Sequence, residues 1–141
     1  MSLDNLTLVQ SVYDAFGRGD IPSVLAAMAP DLRWVAAEHS PYDRGTPYVG
    51  PDEVLQHVFM PIGGNWDRFA ILPERFLDAG DTIVMEGRYG GTYKATGRQT
   101  NAQLVHIWVV RDGKLIEFRQ YTDTAELRDV VGGSNQATAS A

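Results

Sequence analysis

Apolar side chains at Leu6, Val9, Tyr13 and Phe16 recur at the spacing of one helix face, with Gln10 and Asp14 turned elsewhere. Gly17-Arg18-Gly19 stops this helix, since glycine accepts the left-handed conformation that ends helices. Asp20 is placed to cap a second short helix carrying Val24, Leu25 and Met28, and Pro30 ends it. Leu32 to Glu38 then reads as a first strand, followed by a turn-rich loop from Ser40 to Gly50 that holds Pro41, Gly45 and Pro47. Gly50-Pro51 opens a third helix with Val54, Leu55, Val58 and Phe59 as its buried side, and Pro61 and Gly63-Gly64 stop it.

The remainder reads as a strand meander. Phe69 to Leu77 is a strand bent at Pro73, and Asp78-Ala79-Gly80-Asp81 is a turn. Thr82 to Tyr93 follows, with a bulge expected at Gly90-Gly91 because glycine inside a strand usually marks one. Arg98 to Arg111 is a long strand, and Asp112-Gly113 is the strongest short hairpin signal in the chain. Leu115 to Thr122 pairs back, and Thr124 to Val131 forms a last short helix. Helices first and long antiparallel strands afterwards predict an α+β fold, a curved sheet wrapped over the helices as a cone around one pocket. Residues 1–131 make one domain, and 132–141 a small, polar tail expected to be loose.

Composition narrows what such a pocket serves. The chain has 141 residues, 44% of them hydrophobic and 21% charged, enough for one sizeable core. Its net charge of −6, with no basic stripe, argues against a nucleic-acid partner. With no cysteine there is no disulfide, thiolate nucleophile or Cys-ligated metal. No apolar run reaches the roughly 18 residues that a membrane span needs, and the N-terminus lacks the basic and apolar regions of a secretory signal. A cytoplasmic protein without a membrane partner is the expectation. His39, His57 and His106 have no metal-ligand spacing, Gly17-x-Gly19 lacks the third glycine of a dinucleotide loop, and no serine sits in G-x-S-x-G. Neither a metal nor a cofactor is called for.

Five stretches, in this order, carry a resemblance: Tyr13-Asp14-Ala15-Phe16-Gly17-Arg18-Gly19-Asp20, Trp34, Gly50-Pro51, His106 to Lys114, and Arg119-Gln120-Tyr121-Thr122-Asp123-Thr124. Together they resemble the NTF2-like superfamily, in its SnoaL-like and ketosteroid-isomerase-related branch. The resemblance implies a cone-shaped pocket and an activity drawn from isomerases, polyketide cyclases, epoxide hydrolases, dehydratases or non-catalytic binding modules. It also implies that a carboxylate and a hydrogen-bonding partner work deep in a dry pocket. The position resembling the steroid-isomerase base falls near Ala36, which cannot take a proton. The cyclase pair resembles His106 with Gln120, where an Asp is expected and an amide stands instead.

Candidate chemistry therefore centres on His106. The two-residue period puts it on one face with Leu104 and Trp108, and the hairpin brings Phe118, Gln120 and Thr122 to the same face. His106 is either an acid/base group, since histidine titrates near neutrality, or a core histidine with satisfied ring nitrogens. Glu38, at the end of the first strand, is a candidate for the relocated carboxylate, or else a solvated loop residue. Asp123, with Glu126 three residues on, is either a helix cap or a carboxylate at the pocket mouth. Trp34, Tyr42, Trp66 and Trp108 are the expected aromatic lining, with Gln120 as a hydrogen-bond donor to the ligand; most of the remaining aromatics, among them Tyr48, Tyr89, Tyr93 and Tyr121, are read as core. Val105, Ile107 and Val109 give the opposite strand face an apolar character, and the resemblance implies that a second copy covers it as a homodimer.

The functional expectation is cofactor-free isomerisation, cyclisation, dehydration or hydrolysis of a small, mostly apolar carbonyl or hydroxyl compound. His106 would act as acid/base with Glu38 or Asp123. The alternatives are a ligand-binding protein without turnover and a dimeric interaction module.

Overall fold

A computed structural model describes residues 2–132. Helix α1 (Ser2–Gly17) buries Val9, Val12, Tyr13 and Ala15 on one side. Helix α2 (Ile21–Ala26) starts at Asp20, whose carboxylate accepts from the Ser23 backbone N–H at 3.2 Å and the Ser23 hydroxyl at 2.6 Å. The first strand, β1 (Met28–Val35), begins four residues before the expected Leu32 and contains Pro30. Proline survives there because the pairing is irregular between Met28 and Arg33, where no ladder N–H is demanded of it.

Within the expected loop, β2 (Tyr48–Val49) adds a short edge pairing to β1. The third helix is longer than its proline and glycines suggest. It runs as α3 (Pro51–Val54), a π-helical turn (Leu55–Phe59) and α4 (Met60–Asn65). The wider π turn accommodates Pro61, which has no N–H to donate back along the helix, so the chain does not break there.

The long strands are β3 (Trp66–Asp78), β4 (Thr82–Tyr93), the two-residue β5 (Gln99–Thr100), β6 (Gln103–Arg111) and β7 (Lys114–Thr122). They join β1 and β2 in a seven-stranded sheet ordered β2-β1-β7-β6-β4-β3, with β5 against β4. The sheet is mixed, because β1 runs parallel to β7 while the other pairs are antiparallel. The expected Arg98–Arg111 strand is broken at Asn101-Ala102. Helix α5 (Thr124–Val130) follows β7.

Register shifts between Asp67 and Ala70 and between Pro73 and Arg75 bend β3 around α1. The first puts one extra residue on β3, not on the glycine-bearing strand, and Arg68 takes a positive φ of 54° there. Opposite, Gly91 has φ 129°, and a Cβ would lie 2.9 Å from Phe69 Cα. A Cβ on Gly87 would run into the Leu72 carbonyl oxygen. Glycine at both places lets β3 pass close over β4. The concave face of the curled sheet then carries buried Ile83, Met85, Tyr89, Leu104, His106, Trp108 and Phe118, packed against α1.

Gly87→Ala should therefore cost roughly 2 kcal/mol or more. Gly63→Ala, in α4 with nothing within 4 Å of the added methyl, should gain about 0.5–1 kcal/mol. Urea unfolding of the two variants checks both signs.

Candidate functional site

The hairpin register determines the floor of the site. Leu104 pairs with Thr122, His106 with Gln120 and Trp108 with Phe118, so the three couples stack along one face of β6 and β7. The rings of Trp34 and Phe118 stack at 3.8 Å, and Phe118 meets Trp108 at 4.5 Å and His106 at 4.8 Å. The imidazole is thus enclosed by aromatic surface, with α1 on the other side.

A continuous chain of hydrogen bonds crosses this apolar floor. Trp108 Nε1 donates to Tyr13 Oη at 2.8 Å, and Tyr13 Oη lies 2.7 Å from His106 Nδ1. His106 Nε2 lies 2.7 Å from Tyr89 Oη, which accepts from Gln120 Nε2 at 2.7 Å. Gln120 Oε1 in turn accepts from the Ala37 backbone N–H at 3.0 Å. That last bond orients the amide, because a backbone N–H can only donate. The chain links α1, β4, β6, β7 and the segment after β1.

Above it lies a cavity of about 70 Å³. Its wall includes Tyr13, Phe16, Trp34, Tyr42, Phe59, Trp66, Phe69, Tyr89, His106, Trp108, Phe118 and Gln120. The rim is tied by Trp66 Nε1, which donates to Tyr42 Oη at 2.9 Å, and by Thr46, which accepts from the Ala36 N–H at 2.9 Å and donates to the Trp34 carbonyl at 3.1 Å.

Trp34, Tyr42, Trp66, Trp108, Gln120 and His106 all face this cavity; Glu38 and Asp123 are absent from its wall. Glu38 is exposed beyond the end of β1. Asp123 is the N-cap of α5, where its Oδ1 accepts from the Glu126 N–H at 3.1 Å. Glu126 reaches the other way, accepting from the Thr100 hydroxyl at 2.6 Å and the Asn101 N–H at 3.1 Å. Both ends of the expected capping box therefore have structural work. Among the described residues no Asp or Glu lines the cavity, and none forms a cluster that could hold a metal ion.

Residues 9–118 match the SnoaL-like domain family. The chain belongs to that family. An NTF2-like protein from Burkholderia thailandensis E264 is 33% identical, with 88% of this chain and 94% of the other covered at a TM-score of 0.84. An NTF2-like protein of unknown function from Burkholderia pseudomallei K96243 is also 33% identical, covering 91% and 97% at 0.82. TerC, co-crystallised with polyporic acid, is similar in fold, with 24% identity, 91% and 98% covered, and a TM-score of 0.80. No curated protein matches the chain. Among the described residues no helix is long and apolar enough to cross a membrane.

Two groups in this SnoaL-like site escape a reading of the sequence. Tyr13 counts only as an apolar position of α1, and Tyr89 only as a core aromatic, yet both hydroxyls clamp His106. The one available signal was the hydroxyl itself, since a buried tyrosine needs a partner for it. Burial sets the electrostatics. It pushes His106 down to about 3 and holds the Tyr13 and Tyr89 phenols above their ordinary value, so all three are neutral at physiological pH.

A depressed folded-state value for histidine means that the unfolded chain binds the proton first. Stability should then fall as pH drops below about 6.5, with a slope of up to ~1.4 kcal/mol per unit from this group. Denaturant unfolding between pH 7 and 5 should show that slope in the wild type and less of it in His106→Gln.

Proposed function

We propose that this SnoaL-like domain captures a small, mostly apolar carbonyl or hydroxyl compound and carries out cofactor-free proton-transfer chemistry on it. The observation that carries the reading is a neutral, hydrogen-bonded Tyr–His–Tyr chain on the floor of an aromatic cavity. Apolar walls with a few convergent polar groups suit such a ligand, and a dry site strengthens each hydrogen bond made to it. TerC, which shares the fold, was co-crystallised with an organic compound, polyporic acid.

Proton transfer falls to His106 and the phenols, with Trp34, Tyr42, Trp66 and Trp108 enclosing the ligand and Gln120 donating to it. The proposed catalytic set leaves out Glu38 and Asp123, since neither lines the cavity, the first being exposed and the second capping a helix. Binding without turnover is the second reading. It is favoured by the lack of a carboxylate base among the described lining residues. The cavity volume favours a compact ligand; a larger one requires the rim segment with Pro41 and Tyr42 to give way.

A thermal-shift panel of lactones, terpenoid epoxides, aromatic ketones and steroid enones, on wild type and His106→Gln, tests both readings. A ligand at 100 times its dissociation constant should stabilise the protein by about 2.7 kcal/mol. A compound that stabilises both forms and is consumed only by the wild type supports the enzyme. Binding to both with no conversion supports the second reading, and no stabilisation by any class overturns both.

We also propose that the convex face of β6, where Val105, Ile107 and Val109 are half-buried, pairs with a second copy. Sedimentation velocity should give twice the chain mass, and Ile107→Glu should return the monomer.

A further inference from the structure

The hydrogen-bond chain on the cavity floor has one hydrogen more than it can use internally. Trp108 Nε1–H is a donor only and points at Tyr13 Oη. At the other end Gln120 Nε2 donates to Tyr89 Oη, its orientation held by the Ala37 N–H on Oε1. Both phenol oxygens are therefore already acceptors from outside the Tyr–His–Tyr trio. Within the trio, two phenols and one neutral imidazole bring three hydrogens to only two links, Tyr13–His106 and His106–Tyr89. One phenol O–H is left over, and both phenols line the cavity.

The imidazole tautomer decides which phenol that is. With the hydrogen on Nδ1, His106 donates to Tyr13, Tyr89 donates to Nε2, and the Tyr13 hydroxyl is the one released. With it on Nε2, His106 donates to Tyr89, Tyr13 donates to Nδ1, and the Tyr89 hydroxyl is released. The second arrangement places two donors side by side. Gln120 Nε2 carries two hydrogens and bonds one acceptor among the described residues, 2.7 Å away at Tyr89 Oη, and it also lines the cavity.

We infer that the released Tyr89 O–H and the second Gln120 N–H form a two-donor receptor for a single oxygen acceptor on the ligand, and that His106 acts as the positioning residue that arms it by taking the Nε2–H tautomer. The inference rests on the proposed small-molecule function and narrows its ligand to a compound whose apolar body carries a carbonyl or enolate-type oxygen. A carbonyl oxygen seated there would meet two preset donors, and negative charge developing on it would be shared between them. No charge is needed on His106 for this. Its neutral form, enforced by burial, is the form that can donate at one nitrogen and accept at the other.

The test compares cyclohexanone with methylenecyclohexane, a pair of the same shape that differs in having an oxygen acceptor or a CH2 group at one position. Titrations followed by NMR should show that the wild type favours the ketone over the hydrocarbon about tenfold more than Tyr89→Phe does, the span of one well-made buried hydrogen bond. Tyr89→Phe should lose that preference while keeping its affinity for the hydrocarbon. Chain labelling with 15N-histidine adds a readout that requires no variant. In the ketone complex His106 should show a protonated Nε2 and an unprotonated Nδ1. The same ketone-to-hydrocarbon affinity ratio in the wild type and Tyr89→Phe, or a protonated Nδ1 in the complex, overturns the receptor and leaves the apolar pocket standing. Binding of neither compound at millimolar concentration overturns the receptor together with the small-molecule reading on which it rests.

Discussion

The clamp of two phenols on one desolvated imidazole is the interaction on which the rest of this structure depends. Tyr13 comes from α1, Tyr89 from β4 and His106 from β6, elements far apart in the sequence. An unpartnered imidazole in this aromatic surround would cost several kcal/mol, whereas a satisfied one penalises every arrangement in which helix and sheet are displaced. Hydrophobic burial presses α1 against the concave face but does not by itself choose its position along the sheet. The polar chain chooses it, since a shift of one helical turn would carry Tyr13 away from both His106 and Trp108.

The same chain reaches the rim of the cavity. Gln120 supports the floor through Tyr89 and holds the start of the long loop through the Ala37 N–H. From there Thr46 ties the loop back to β1, and Trp66 ties it to the start of β3 through Tyr42. Gln120 therefore joins the cavity floor to the loop at its rim. The curl of β3 completes the enclosure, and it exists because Gly87 and Gly91 leave room for β3 to cross close above β4.

Within a SnoaL-like domain this arrangement sets a particular chemical character. Its floor is made of phenols, an imidazole, an indole and an amide, all uncharged, while Asp123 and Glu126 serve the start of α5 and its junction with β5. Such a cavity presents hydrogen-bonding groups and, among the described lining residues, no charged carboxylate, lysine or arginine. The fold is shared with proteins of many activities, so the specific content of this chain lies in those few buried donors and acceptors.

Much of this was readable in the sequence because it is local or periodic. The two-residue alternation over Leu104, His106 and Trp108, together with the Asp112-Gly113 turn, was enough to pair His106 with Gln120. The spacing of apolar residues in α1, the cap at Asp20 and the order of helices and strands likewise follow from short-range rules, while the resemblance to the SnoaL-like branch rested on five short stretches of residues in order. The failures were equally local in cause. Pro30 and Pro61 signalled ends that irregular pairing and a π turn absorbed, and the parallel partnership of β1 with β7 left no mark between neighbouring residues. What only the tertiary structure decided was the partnership of residues distant in the chain. Tyr13 and His106 are 93 positions apart, and nothing in helical or strand periodicity reveals that two phenols will close on the same ring. Glu38 and Asp123 looked like candidates because their type was right; that neither lines the cavity became visible only once the sheet had curled, since curvature is a sum over many residues and not the property of any one.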